Sequence, residues 1–545
     1  MRFDTLPSLV AHLPVYGSRP AVGLRQTFGT RWWSYRRLYE EAHAAAERFR
    51  RAGLEPGSRL ILWASNSPEW VAGFLGALLR GLVVVPVDDT ATAQHVQQLA
   101  AHAGAACVVH GPQQDTSALD LPRLPIIPAP AETPFSPPGG DRSQAVPVSP
   151  EDAAVIMYTS GTTRQPKGVI LTHGNLVTQI EAFSPWRWPL RFLPCRLLAL
   201  SPLSHVQGLL VGACIPLGIG LSVLYSDSVD PSQVIRAIRQ NRITLLLAVP
   251  RITHLLAKAL QESPYGRSGR PVGERVRPIR FFPLRRHILF LATHARLGYW
   301  FWVLLVGGAP LPPADERVWY EAGYVLVQGY GLTEAAALVT VRINSPFGGR
   351  LGSIGRPLPN QAVSLSADGE VLVQGPNVTP GYIQGPAGAI QDQQGPLPTG
   401  DLARRDSRGR LVFVGRKDEV IVTGEGLNVH PQDVEAVLKQ LPSVQDAVVI
   451  GLPQNGHPEV HAVLLLTDRA AAAAVVGRAN AALEPHQRIR SWTVWPHPDF
   501  PRTNLLKVKH AEVADAARRL PREGAHLEVS RPSLEHSLAT DDRGR

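Results

Sequence analysis

The sequence predicts an α/β protein: a large N-terminal unit with helices layered on a largely parallel sheet, then a smaller α+β unit. Three observations carry this expectation. The N-terminal third alternates helical and strand patterns in a βαβ rhythm. A short apolar run at Ala153–Met157, with the length and β-branched content of a buried strand, leads straight into a loop of small and hydroxyl residues. Beyond the Gly-rich stretch Gly415–Glu435, strand patterns at Val444–Gly451 and Val460–Leu466 precede an Ala-rich helix at Arg469–Leu483, a compact α+β set.

The elements follow in order. Tyr35–Arg51 has helical periodicity. Arg59–Ala64 and Leu82–Val85 are β-rich, with a helical Pro68–Leu79 between them. Leu121–Pro150 is dense in proline and polar residues and is expected to be a connecting loop. Leu171–Leu176, LTHGNL, marks a helix start, while Tyr324–Val327 and Arg410–Val414 read as strands. Polar residues from about Arg522 form an uncompacted tail.

Composition supports this organisation. At 545 residues the chain is long enough for two or three units, and an apolar fraction of 44% supplies real cores. Cys107, Cys195 and Cys214 are far apart and form neither a metal spacing nor an even disulfide set, which fits a reducing cytoplasm. Asp4 and Pro7 fall where a signal peptide needs its apolar core, an argument against secretion. No run is long and uncharged enough to span a membrane. The net charge is +10, but no nucleic-acid module or aromatic–basic interleaving accompanies it. Arginine supplies nearly all the basic residues. The six lysines (Lys167, Lys258, Lys417, Lys439, Lys507 and Lys509) therefore stand out, and three of them fall in the motifs below.

The loop after the buried strand, Tyr158–Gly168, reads YTSGTTRQPKG. Thr159, Ser160, Gly161, Thr162, Thr163 and Lys167 suit a phosphate cradle. Small residues let backbone N–H groups approach anionic oxygens, hydroxyls add donors, and the lysine adds a point charge. Taken alone, such a stretch is ordinarily a surface loop. A Walker loop is excluded, because no Gly precedes Lys167 and Gly168 stands where a magnesium-binding Ser or Thr belongs. YTSGTTRQPKG resembles the signature loop of the adenylate-forming superfamily, which includes acyl- and aryl-CoA synthetases and nonribosomal-peptide adenylation domains. Arg164 departs from the family's usual Gly and implies a stiffer or more charged loop tip.

Four further stretches extend the resemblance in the family's order. In Pro202–Gly208, PLSHVQG, a lone histidine between apolar stretches ordinarily serves structure; the resemblance puts His205 beside the bound carboxylic acid. Gln328–Ala336, QGYGLTEAA, could be a turn and a helix start. In the family such a motif gives adenine its aromatic face, here Tyr330, a phosphate donor, Thr333, and a magnesium ligand, Glu334. Thr399–Asp406, TGDLARRD, reads alone as a turn. The resemblance makes Asp401 the acceptor for the ribose hydroxyls and brings Arg416 of the following GRKDE to the nucleotide. Pro501–Lys507, PRTNLLK, places Lys507 at the spacing of the family's catalytic lysine. Gly-rich turns (Gly308 and Ala309 in VGGAPL, Gly329 and Gly331 in QGYG) leave room for an acyl tail. The resemblance also implies a hinge at Asp418 and a coenzyme A contact at Gly424 and Gly426.

The resemblance runs from about Phe3 to Val513 and is nearest to the long-chain fatty acyl-CoA synthetase branch. It implies an adenylate-forming fold with an ATP- and acyl-binding domain (residues 1–415), a small mobile domain bearing the lysine (416–521) and a polar tail (522–545). It also implies a magnesium-dependent ligase that joins a medium- or long-chain fatty acid to AMP and then to coenzyme A. An acyl-AMP ligase loading an acyl carrier protein is the near alternative. A non-catalytic scaffold is the distant one, at odds with retention of Lys507, Glu334 and Asp401. Finally, eight arginines and one acid in Arg267–Arg296, beside the aromatics Tyr299, Trp300 and Trp302, fit either a solvated basic helix or a surface that meets anionic membrane.

Overall fold

The computed structural model describes residues 3–27, 29–126, 145–159, 167–186, 193–226, 228–261, 294–344, 352–383, 390–423, 427–454, 457–503 and 506–523. The chain divides into two compact units. Met1–Lys417 with Arg502–Lys507 forms the larger; Asp418–Pro501 with Val508–Arg545 forms the smaller. The division falls between Lys417 and Asp418, two residues past the boundary expected from the sequence, and the segment bearing Lys507, expected in the smaller domain, groups with the larger unit.

In the larger unit the strands begin with β1 (Pro20–Gln26), β2 (Gly29–Ser34), β3 (Arg59–Trp63), β4 (Val83–Val87), β5 (Cys107–His110), β6 (Arg123–Pro125) and β7 (Ala153–Thr159). They continue with β8 (Lys167–Thr172), β9 (Arg196–Ala199), β10 (Ser222–Tyr225), β11 (Leu245–Ala248), β12 (Val303–Val306), β13 (Val325–Tyr330), β14 (Thr340–Asn344) and β15 (Arg356–Pro357). The last are β16 (Ala362–Leu365), β17 (Glu370–Gln374), β18 (Gly381–Ile383), β19 (Ile390–Asp392), β20 (Leu397–Arg405) and β21 (Leu411–Arg416). One sheet has the order β15-β14-β13-β12-β11-β9-β10-β1-β2; a second has β19-β18-β8-β7-β4-β3-β5-β6; a small antiparallel sheet has β16-β17-β20-β21. The first is parallel from β13 through β1, and the second from β7 through β6.

The side-chain alternation of a strand explains the layering. Leu60 and Leu62 of β3 enter one core, with Leu197 and Ala199 of β9 and the helices Tyr35–Arg51 and Pro68–Leu79; Ile61 and Trp63 face a different core, with the helix Ala93–Ala103. Leu198 of β9 likewise points away, toward the helices Pro231–Gln240 and Pro250–Gln261. Each large sheet is therefore apolar on both faces, as a sheet covered by helices must be.

The two helices inside the main core match their sequence patterns. Ser34 caps the first by accepting the Arg37 N–H at 3.1 Å, and Leu38, Ala42, Ala45, Ala46 and Phe49 form its buried stripe. Ser67 caps the second, with Pro68 at the first helical position. Gly76 brings the two helices close: a Cβ there would lie 2.6 Å from the Ala42 carbonyl oxygen.

Two local expectations change. Arg123–Pro125, expected within a loop, pairs with β5 as an edge strand, because the open edge of β5 supplies partners that the short segment's own pattern does not signal. The helix expected from Leu171 begins at His173; β8 runs on to Thr172, whose hydroxyl accepts the Asn175 N–H at 3.1 Å as the N-cap.

The smaller unit contains β22 (Ile421–Val422), β23 (Asn428–Val429), β24 (Val444–Gln454), β25 (His457–Leu466) and β26 (Ser491–Val494). The last three form one sheet, against which the helices Pro431–Leu438 and Ala472–Ala482 pack. Among the described residues, no helix is long and apolar enough to cross a membrane.

Candidate active site

The C-terminal ends of the parallel strands in the first sheet carry several of the predicted site residues, as expected of an open α/β sheet. β9 leads into Leu200–His205, β12 into Gly307–Ala309, and β13 ends on Tyr330.

Tyr330 and Asp401 meet across the first sheet and the small antiparallel sheet. The Tyr330 phenol donates to Asp401 Oδ2 at 2.9 Å and lies 3.5 Å from Thr399 Oγ1. Burial, and then the Asp401 carboxylate, raise the Tyr330 pKa, so the phenol stays a donor. Asp401 pairs in register with Arg416, whose Nε lies 3.4 Å from Oδ1. TGD, which alone reads as a turn, is here part of strand β20. Gly400 adopts φ 71°, and a Cβ there would lie 3.2 Å from Arg416 Nη2, so glycine meets both the left-handed backbone and the close guanidinium.

Lys507 belongs to the same unit. Its side chain is reached by solvent yet sunk among protein atoms; that desolvation lowers its pKa below the usual lysine range, opposed by Asp401 and assisted by Arg416. A Cβ placed on Gly308 (φ 84°) would lie 3.9 Å from Lys507 Cε and 2.8 Å from Gln207 Oε1. Lys507 and Gln207 thus flank one point above the VGGAPL turn. His205 sits nearby, its Nε2 3.9 Å from Asp88 Oδ2, and burial lowers its pKa against the pull of Asp88, so it is held toward the neutral imidazole. Among the described residues, His205 Nε2 and Gln207 Oε1 are buried and have no hydrogen-bond partner.

Thr333 and Glu334 lie in a single 3-10 turn, Thr333–Ala335. Ala336 and Ala337 follow with φ of 48° and 73°, left-handed values that alanine adopts only when its surroundings fix them. Two fully buried amides do so. Gln179 Nε2 donates to the Leu338 and Ala335 carbonyls at 2.7 and 3.3 Å, and Asn377 Nδ2 donates to Ala335 O at 3.0 Å. Gln179→Ala should lower stability by about 1–3 kcal/mol, the cost of leaving buried carbonyls unpaired. It should also raise the KM for ATP, as denaturant unfolding and nucleotide titration would read. An unchanged KM in a destabilised variant would separate the turn's packing from its ligand role.

Lys167, at the base of the phosphate loop, places its ammonium 3.5 Å from the centroid of the Tyr382 ring. Burial pushes the Tyr382 phenol up to about 12, and the nearby Glu334 carboxylate adds to that shift. Tyr382 therefore contacts the lysine of one motif and feels the carboxylate of another. Thr159 ends β7, while Ser160, Gly161, Thr162, Thr163 and Arg164 lie outside the described residues, as do Gly424 and Gly426. Asp418 opens the smaller unit, in the turn Lys417–Glu419. Among the described residues, no cluster of three or more His, Cys, Asp or Glu forms a metal cage.

Several residues of this arrangement escape the sequence reading: Gln179, Gln207, Glu370 and Tyr382. Glu370 accepts the Gly400 N–H at 2.9 Å and the Lys417 ammonium at 2.9 Å, tying TGD to GRK. An acid directly ahead of the apolar run Val371–Val373 was the available signal for it. The other three look like ordinary helix or strand residues, and their partners are distant in the chain.

The family model described as "AMP-binding enzyme" matches residues 11–383. A feruloyl-CoA synthase of Amycolatopsis is 29% identical over 448 residues, 78% of this chain and 82% of that protein. The long-chain-fatty-acid–CoA ligase FadD15 of Mycobacterium bovis is 28% identical over 437 residues, 73% of this chain and 72% of the relative. The fold is that of the O-succinylbenzoate coenzyme A synthetase of Bacillus subtilis, solved with ATP and magnesium: TM-score 0.72, 22% identity, 94% of this chain and all of that one. With the matched model spanning most of the larger unit, the chain belongs to the AMP-binding enzyme family.

Proposed function

We propose that this AMP-binding enzyme is an acid–thiol ligase that activates a carboxylic acid with ATP and passes the acyl group to coenzyme A. The observation that carries the reading is the convergence of Tyr330, Asp401, Arg416 and Lys507 in one unit. In the first half-reaction a carboxylate oxygen attacks the α-phosphate of ATP, forming acyl-AMP as pyrophosphate leaves. No protein nucleophile is needed, so catalysis is positioning and charge neutralisation. Tyr330 stacks adenine, Asp401 accepts from the ribose hydroxyls, and Arg416 holds Asp401 while facing the nucleotide. Thr159, Ser160, Gly161, Thr162, Thr163, Lys167 and Thr333 hold the phosphates. Lys507 stabilises the charge that grows between carboxylate and α-phosphate.

Magnesium needs few protein ligands when phosphates and water complete its shell, so the single carboxylate of Glu334 fits it; when bound, the ion would neutralise phosphate charge. In the second half-reaction the coenzyme A thiol attacks the acyl-adenylate carbonyl and AMP leaves. Asp418 serves as the hinge between the two steps, and Gly424 and Gly426 line the path of the thiol arm. His205, Gly308, Ala309, Gly329 and Gly331 line the acyl pocket, and Gln207 joins them.

For the acid we propose a medium- or long-chain fatty acid, supported by the pattern of Gly415–Glu435 and the likeness to FadD15. The feruloyl-CoA synthase among the relatives makes an aryl acid the competing class. AMP and thioester formation with ATP, magnesium and a panel of fatty, aryl and short polar acids, with and without coenzyme A, tests both levels. Acyl-CoA from fatty acids alone is the expected result, and acyl-CoA from aryl acids would move the substrate class. Acyl-adenylate that accumulates while coenzyme A is ignored would make a carrier protein the acceptor. No adenylate from any acid would overturn the ligase.

A further inference from the structure

A second surface stands out at the opposite ends of the same strands. Gly298–Trp302 leads into β12, Arg242 precedes β11, and Arg196 opens β9, so all three lie at the N-terminal ends of the parallel strands. Tyr299, Trp300 and Trp302 are 66%, 49% and 47% exposed, while Phe301 between them is fully buried. Phe301 packs on Tyr324, and His294 stacks on Tyr324 and meets Trp302 edge-on, so the exposed rings ride on a rigid aromatic base.

Three such rings in one short stretch are unusual on a surface that meets only water. Tyrosine and tryptophan are the residues that settle where one end is apolar and the other wet. Charge accompanies them. Arg239 and Arg242 line a shallow pocket of about 210 Å³ with Tyr299, Trp300, Gly298, Ala295 and Ile238, and no acid is among these lining residues. Arg196 lies close enough to feel Arg242. Arg242 holds φ 51°, a left-handed turn position where Gly or Asn costs less, yet an arginine occupies it.

We propose that this face docks on the surface of an anionic phospholipid membrane. Tyr299, Trp300 and Trp302 enter the headgroup layer, and Arg239 and Arg242 pair with lipid phosphates. Because the strands point the other way, the enzyme docks with its candidate active-site edge turned from the bilayer contact. The proposal does not depend on the acid substrate, since the surface shares no residue with the candidate active site.

The test is sedimentation of the full chain with vesicles of phosphatidylcholine alone, or of phosphatidylcholine with an equal part of phosphatidylglycerol. Two variants accompany it, Arg239→Gln/Arg242→Gln and Tyr299→Ser/Trp300→Ser, with thermal melts and acid-dependent pyrophosphate exchange to confirm folding and activity. The expected result is binding to the anionic vesicles that weakens as salt rises, with each variant about tenfold weaker. Both variants leave the arginine-rich sequence Arg267–Arg286 intact. Undiminished anionic binding by both variants would overturn the assignment of this face. So would equal binding to neutral vesicles, no binding to either, or retention by an oligonucleotide in place of vesicles.

Discussion

Replacing Lys507 with alanine should lower the rate of acyl-adenylate formation by about two to three orders of magnitude while leaving the protein folded. The size is that of removing one preorganised donor from a developing negative charge. The fold should survive, because the Lys507 side chain is reached by solvent and the turn it closes is held by backbone, with the Thr503 N–H donating to Lys507 O at 2.8 Å. Pyrophosphate exchange and a melting curve check both halves of the expectation. A variant with full exchange activity would remove Lys507 from the mechanism.

The environment of Lys507 adds a pH signature. Desolvation lowers its pKa, so the free enzyme loses the ammonium at a lower pH than an ordinary lysine would. The charged form is the active one. kcat/KM for adenylation should therefore fall as pH rises through that lowered pKa, and this alkaline limb should vanish in the alanine variant.

The fold was legible where chemistry repeats locally. Tyr35–Arg51 and Pro68–Leu79 could be read because apolar spacing and caps sit within the helices themselves. β6 could not, since Arg123–Pro125 becomes a strand only through the edge of β5. The same distinction governs the site. Tyr330, Asp401, Arg416 and Lys507 sit in motifs of unusual composition, so the sequence marks them individually. What it does not show is that Tyr330 bonds to Asp401, or that Gly400 opens room for Arg416. Gln179 and Tyr382 are the converse case. Each is an unremarkable residue in its own element, and only tertiary pairing with Ala335, Leu338 or Lys167 gives it a place beside the motifs.

Asp401→Asn should raise the KM for ATP roughly 10- to 100-fold, the range set by losing a hydrogen bond to a charged acceptor. Asparagine keeps the shape and can still accept from the Tyr330 phenol, so the loss isolates the charge. Tyr330→Phe tests the complementary atom: it keeps the ring for adenine but leaves the buried Asp401 carboxylate one donor short. Asp401 also has an effect at a distance. Its carboxylate raises the Lys507 pKa, opposing the desolvation that lowers it. Without that charge the ammonium is lost sooner, and the alkaline limb of kcat/KM should move to lower pH in Asp401→Asn but stay in place in Tyr330→Phe. A limb that stays fixed in Asp401→Asn would mean that Asp401 and Lys507 act independently, with the carboxylate serving the nucleotide alone.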